Sequence, residues 1–265
     1  MRKLHILLFI GLILPAQAMA HAWLKIKIAT TEYAPYTSTN MEHDGYINHI
    51  IAQAFLETGV IVEFVSLPWE EALDATLAGE YDAISYGNFV RAREKEFWHS
   101  DPISVENLVF YASDDSGIKS WSSLQALSEY RMGVTKEYLY NDELANYIEN
   151  SGNIVERPTD KANLQALIDG EIDIFPIDEL TGWYILQREF SSGERDEIRL
   201  LKPSVSTVTT HLLVPKGKGD DELVLALFNK GLKKLALQGE IRRFKRLLRE
   251  GFYQHPGEQI NYDRR

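Results

Sequence analysis

The sequence contains no cysteine. Thiol catalysis, iron–sulfur clusters and cysteine-ligated zinc are therefore excluded. A lipid anchor on a cysteine behind a leader segment is not expected either. A chain of 265 residues builds a core without disulfides, even in an oxidising compartment. Long apolar runs are nearly as scarce, and the one present stands at the start. Arg2 and Lys3 precede "ILLFIGLIL", and "AQAMA" places small residues at Ala18 and Ala20 ahead of His21. Residues 1–20 thus have the layout of a signal peptide cleaved near Ala20. The run is too short to span a bilayer comfortably. No later stretch comes close to it, so the mature chain is expected to be soluble and exported.

The usual catalytic signatures are missing as well. Seven histidines form no HExxH and no His-x-His pair, and there is neither a GxSxG elbow nor a P-loop. His43 and His49 flank Asp44, but a surface position is the expectation for both, and no metal or cofactor is expected. Basic residues are few: 28 against 39 acidic ones, a formal charge of −11. Loss of Arg2 and Lys3 leaves 26 − 39 = −13. Such a field repels nucleic acid and anionic lipid. An anionic ligand would need a local cation against that trend.

What is present reads as alternating strands and helices. "LKIKIAT" (24–30) alternates as a strand. "GYINHIIAQAFLETG" (45–59) puts Ile47, Ile50, Ile51, Ala54 and Phe55 at helical spacing. "VIVEFVSL" is a strand, "PWEEALDATLAG" a helix between Pro68 and Gly79, and "YDAISYG" a third strand. This order argues for an α/β unit with parallel pairing. The same grammar returns from "YRMGV" through "ELTGWYILQREF". "LAGEYDAI" (77–84) and "IDGEIDIF" (168–175) are near copies, each a helix end, Gly-Glu-X-Asp and a strand start. Two similar lobes follow. "ENLVFYASDD" (106–115) and "TVTTHLLVPKGKG" (207–219) are strands between them, which makes the junction a hinge rather than a tether. Two further helical patterns close the chain.

The ordered set "EYAPYTS", "GYINHIIAQAF", "LPWEEALDATLAGEYDAI", "RAREKEFWHSDPI", "GEIDIFPIDELTGWYIL" and "LLVPKGKGDDELVLALFNKGL" resembles family 3 of the bacterial periplasmic solute-binding proteins. The likeness is nearest to a less characterised proteobacterial branch. The resemblance implies a two-lobed α/β fold of type II, each lobe a mixed sheet flanked by helices, joined by two crossing strands. It implies lobe 1 as 22–109 plus 211–265 and lobe 2 as 110–210. It also implies a periplasmic, monomeric protein that closes around a small polar solute, an amino acid or related zwitterion. That solute would then be presented to an ABC-type membrane permease. Two other readings stand beside this one: a ligand-sensing partner of a membrane receptor, and a dehydratase-like enzyme on the same fold. The enzyme would need an acid poised in the cleft, for which Glu32 and Glu137 are the candidates.

Site residues carried over by the resemblance are the following. Arg93 lies six residues before His99, which replaces the family's aromatic. It is the expected carboxylate grip, because a guanidinium offers a planar fork. The family's hydroxyl residue three places earlier is Val90 here, so the grip is incomplete. Arg91 is expected on the surface. Asp178 is the expected partner of a ligand ammonium, and capping the following helix is its equally ordinary alternative. Tyr33 and Tyr36 match an aromatic floor, with core packing as the alternative. Trp69 either packs the helix start or walls the cleft. Thr135 and Tyr138, in "GVTKEYLY", are candidate liners, although Glu137 and Tyr138 replace the family's Gly and Thr there.

Overall fold

A computed structural model describes residues 24–136, 138 and 140–254. The expected signal peptide, its cleavage point and Glu137 lie outside the described residues.

The chain begins with β1 (Leu24–Thr30), α1 (Tyr46–Leu56), β2 (Val60–Ser66), α2 (Trp69–Ala78) and β3 (Ala83–Asn88). β1 lies parallel to β2 on one side and β3 on the other. α1 buries Ile47, Ile50, Ile51, Ala54 and Phe55, one continuous stripe at i, i+3, i+4, i+7 and i+8. Each of its large apolar side chains contributes about 1.5–3 kcal/mol when fully buried. Pro68 stands at the N-cap of α2, and Gly79 ends it at φ 98°.

Next come β4 (Phe97–His99), β5 (Ser104–Ser113), β6 (Met132–Thr135), α3 (Asp142–Asn150), β7 (Ile154–Arg157) and α4 (Asp160–Ile168). The remainder is β8 (Ile174–Asp178), α5 (Glu179–Glu189), α6 (Ser192–Asp196), β9 (Ile198–Leu200), β10 (Ser206–Pro215), α7 (Asp221–Gln238) and α8 (Glu240–Arg249). The strands join in the order β2-β1-β3-β10-β5-β8-β6-β7, with β4 on β10 and β9 on β5.

β5 and β10 make this a two-lobed molecule. Early in β5, Ser104–Leu108 pair antiparallel with β10. Further along, Leu108–Ala112 pair with β8. β10 in turn leaves β5 to pair with β3 and β4. Each strand therefore belongs to both halves of the sheet. One half packs α1, α7 and α8 on one face and the α2 side on the other. In the second half, alternation along β5 sends Val109 and Tyr111 into one core and Phe110 and Ala112 into another. Helices thus cover both faces, as parallel strands require.

The near-repeat in the sequence is a repeat in hydrogen bonding. The Asp82 carboxylate accepts from the Lys27 amide at 2.7 Å, and the Asp173 carboxylate accepts from the Arg131 amide at 2.7 Å. In return the Asp82 and Asp173 amides donate to the Lys27 and Arg131 carbonyls, each at 2.8 Å. Each Gly-Glu-X-Asp turn clips a helix exit onto the neighbouring parallel strand.

One sequence expectation needs correction. His49 is buried, not on the surface, because Phe244 of α8 and Phe252 and Tyr253 beyond it pack over the side of α1 opposite its apolar stripe. Its Nδ1 lies 2.8 Å from the Tyr253 hydroxyl, and its ring stacks on His43 at 4.0 Å. Among the described residues no group of three or more potential metal ligands gathers, and no helix is long and apolar enough to cross a membrane.

Candidate functional site

The parallel strands β1, β2, β3 and β6 all deliver their C-terminal ends to one place, the region where open α/β sheets bind ligands. There a cavity of about 980 Å³ is walled by residues from both halves of the sheet. From the first half come Tyr33, Trp69, Tyr86, Asn88, Phe89, Val90 and Arg93; from the second come Tyr138, Tyr140 and Asn141. The crossing strands supply Glu106 and Val208, which face each other in the β5–β10 register. The volume suits a small molecule.

Arg93 is half-buried on the cavity wall, whereas Arg91 is exposed and outside it. A short 3₁₀ turn over Arg91–Lys95 follows Val90 and aims the side chain. The guanidinium carbon lies 4.9 Å from the centre of the Trp69 ring. One nitrogen donates to the Asn88 carbonyl at 3.2 Å. Burial depresses the Arg93 pKa and Glu70 partly offsets this. No ion pair joins it to any described carboxylate, so most of its N–H fork is left for a ligand. Val90 lines the cavity beside it with no hydroxyl to add.

Glu106 forms the opposite pole. It is 6% exposed, and strand alternation puts it on the face away from Val105. The Tyr86 hydroxyl donates to its Oε1, and the Asn88 side chain also bonds it. No cation pairs with it among the described residues. Burial pushes its pKa up to about 7 against the lowering effect of those hydrogen bonds, and the Asp178 charge adds to the rise.

Tyr33, Tyr36 and Tyr86 stack beside this carboxylate, with ring centres 5.0–6.0 Å apart. Within the stack Tyr36 is the ring that does not line the large cavity, and Asp178, bonded to its hydroxyl, does not line it either. They belong to a second one of about 670 Å³, which also takes in Val105, Trp183, Lys245 and Arg249. Asp178 is 2% exposed and is the N-cap of α5. Its Oδ1 accepts from the Leu180 amide at 3.1 Å, the Thr181 amide at 2.9 Å, the Thr181 hydroxyl at 3.0 Å and the Tyr36 hydroxyl at 2.8 Å. Its Oδ2 is buried without a partner. Burial raises the Asp178 pKa, opposed by those donors.

Among the residues expected from the sequence, Arg93, Tyr33, Trp69 and Tyr138 meet on one wall-to-wall cavity. Thr135 lines neither cavity. Its hydroxyl donates to Asp160 at 2.6 Å and accepts from Asn163 at 3.0 Å. The amides of Thr135, Lys136 and Tyr138 are all taken by Tyr140, Arg157 and Thr135 respectively. Glu32 has its Oε1 engaged by Thr39 and Ser66. Burial, the largest single effect, raises its pKa, but the hydrogen bonds from Thr39, Ser38 and Ser66 together outweigh it and leave the pKa below the ordinary glutamate value.

Sequence reasoning missed Glu106, Tyr86, Asn88 and Tyr140. A signal for the first was present: Ser104, Glu106, Leu108 and Phe110 share one face of a strand whose later members are buried. An acid on that face has no obvious solvent.

The model of the bacterial extracellular solute-binding proteins, family 3, matches residues 26–247. The chain belongs to this family. No curated protein matches the chain. Among solved structures, it is similar to a histidine kinase sensor domain that itself resembles periplasmic binding proteins. That pair has 19% identity and a TM-score of 0.64, over 88% of this chain and 98% of that one. It is similar to the L-cystine solute receptor of Neisseria gonorrhoeae in the unliganded open conformation (20% identity, TM-score 0.65, 84% and 92% covered). It is also similar to an amino acid ABC transporter substrate-binding protein of Streptococcus pneumoniae bound to L-arginine (16% identity, TM-score 0.62, 83% and 92% covered). These likenesses are of fold, the type II periplasmic binding fold. Family membership gives the chain a solute-binding role.

Proposed function

We propose that this family 3 protein is an exported, periplasmic, monomeric receptor that closes around an amino acid or related zwitterion and presents it to an ABC-type permease. The observation carrying this reading is a single cavity with an unpaired guanidinium, Arg93, on one wall and a buried carboxylate without a cation, Glu106, at the crossing strands. A zwitterion answers both poles: its carboxylate suits the planar fork of Arg93, and its ammonium suits the acidic end, where Asp178 lies behind Glu106. Tyr33, Trp69 and Tyr138 provide walls for apolar or cationic parts.

The lobes of this reading are 22–109 plus 211–265 and 110–210, flexing where β5 and β10 change partners. A solute touching Arg93 in one lobe and Tyr138 in the other favours the closed state by its differential contacts. Calorimetric titration with the twenty L-amino acids tests the reading. At least one is expected to bind, and Arg93→Ala is expected to weaken it at least tenfold. Equal affinity in that variant would remove Arg93 from the site.

A ligand-sensing partner of a membrane receptor is the second reading. The observation favouring it is the shared fold with a sensor domain over 98% of that domain. Solute-driven closure is the output in both cases.

A further inference from the structure

We propose that Glu106, and not the helix-capping Asp178, is the residue that holds the cationic group of the solute. The proposal deepens the solute-binding reading above and rests on it.

Two buried acids lie near the acidic end, and their places relative to the large cavity separate them: Glu106 lines it and Asp178 does not. Asp178 keeps Oδ2 buried without a partner, while its Oδ1 is fully occupied by the fold. Its Oδ1 takes four donors, two of them amides of the first turn of α5, and those amides need an acceptor whether or not a solute is present. Glu106 caps nothing. Its Oε1 accepts from Tyr86, and its side chain opens onto the cavity between Tyr86 and Val208. A buried carboxylate without a cation is costly, and the cost falls away when a ligand brings the missing charge.

The surroundings suit a cation. Tyr33, Trp69, Tyr86, Phe89, Tyr138 and Tyr140 line the same cavity, and their ring faces attract positive charge. The charged and titratable groups around Glu106 are Tyr86 on β3, Tyr33 and Tyr36 after β1, Tyr138 after β6 and Asp178 at the end of β8. None of these is a cation. Arg93 is the cation on the cavity wall, and its fork serves the other end of the solute. The solute class is therefore a zwitterion, or a carboxylate with more than one positive group, whose cation reaches the crossing strands. Since Glu106 titrates at about 7, a bound cation favours its ionised form, and binding at neutral pH releases part of a proton.

The test uses the purified protein with a probe set of the twenty L-amino acids and glycine betaine. Each member that raises the melting temperature is titrated calorimetrically against wild type, Glu106→Gln, Asp178→Asn and Arg93→Ala. Wild type is repeated in two buffers of different ionisation enthalpy. The expected result has three parts. Glu106→Gln loses at least tenfold in affinity and loses the proton release. Asp178→Asn lowers the melting temperature but changes affinity less than threefold. Arg93→Ala weakens binding. Binding within threefold of wild type in Glu106→Gln, or a larger loss in Asp178→Asn, overturns the proposal while the solute-binding reading stands. Unchanged binding in Arg93→Ala, or no binding by any probe, overturns that reading and the proposal with it. Circular dichroism establishes that each variant is folded. Should Glu106→Gln fail to fold, proton release by wild type decides: its absence overturns the proposal.

Discussion

The Tyr36 hydroxyl donates to Asp178 Oδ1 at 2.8 Å, joining the turn after β1 to the first turn of α5. Both residues are buried, and 142 positions of sequence separate them. The bond ties the first half of the molecule to the second at a point beside the crossing strands. It keeps Asp178 Oδ1 engaged in the fold.

Tyr36→Phe removes this tie and leaves Asp178 Oδ1 three donors. A single hydrogen bond of this kind contributes about 0.5–1.5 kcal/mol. The melting temperature is expected to fall by a few degrees, and small-angle scattering of the solute-free protein is expected to show a larger radius of gyration. An unchanged radius would mean that the bond does not restrain the lobes.

Arg93→Lys keeps the charge and discards the planar fork. Solute affinity is expected to drop about tenfold or more, equivalent to roughly 1.4 kcal/mol, while the melting temperature of the empty protein stays near wild type. Calorimetric titration reads the first and differential scanning the second. Full affinity in the lysine variant would reduce Arg93 to a point charge.

Glu106 links stability to pH. Burial raises its pKa from the ordinary 4.5 to about 7. Below pH 4.5 the carboxyl is neutral in both folded and unfolded chains, and burying it carries no charge penalty. As pH rises from 4.5 towards 7 the unfolded chain ionises first, so this contribution to stability is lost across that window. Glu106→Gln is expected to lose less stability than wild type between those two pH values, as read from urea midpoints. Parallel curves would show that Glu106 is not desolvated.

His49 acts with the opposite sign. Burial, with smaller effects from His43 and Arg243, lowers its pKa from 6.5 to about 4. Stability from its neutral form is present above pH 6.5 and is lost as pH falls towards 4. His49→Gln is expected to remove that acid-side decline in the same midpoint series.

Gly231 lies where α7 crosses α1, and a Cβ there would collide with the Ala54 carbonyl oxygen. Gly231→Ala is expected to destabilise the protein by about 1–3 kcal/mol, as overpacking does. Gly193→Ala is the control, since nothing stands within 4 Å of its Cβ position. Equal melting temperatures in the two variants would contradict the close crossing.

Much of the fold was legible because local pattern and tertiary role agree. The i, i+3, i+4 stripe of α1, the Pro68 and Gly79 punctuation of α2 and the Gly-Glu-X-Asp repeat each have one physical use, and each has it here. The short strands β4 and β9 were not legible. Three residues are too few to show alternation, and each is held by pairing to a longer strand. The place of Arg93 on the cavity wall follows from register, whereas positions that depend on how the lobes meet are opaque in the sequence. Glu106 and Tyr86 are 20 residues apart in sequence, and only the β3-β10-β5 order brings them together.

The most direct test is the melting temperature of the purified protein with and without each of the twenty L-amino acids at millimolar concentration. A solute at 100 times its Kd stabilises by about 2.7 kcal/mol, and each kcal/mol moves a chain of this size by roughly 2–4 °C. The account predicts a rise of about 5 °C or more with at least one of them, abolished in Arg93→Ala. No shift with any, or the same shift in the Arg93→Ala variant, would contradict it.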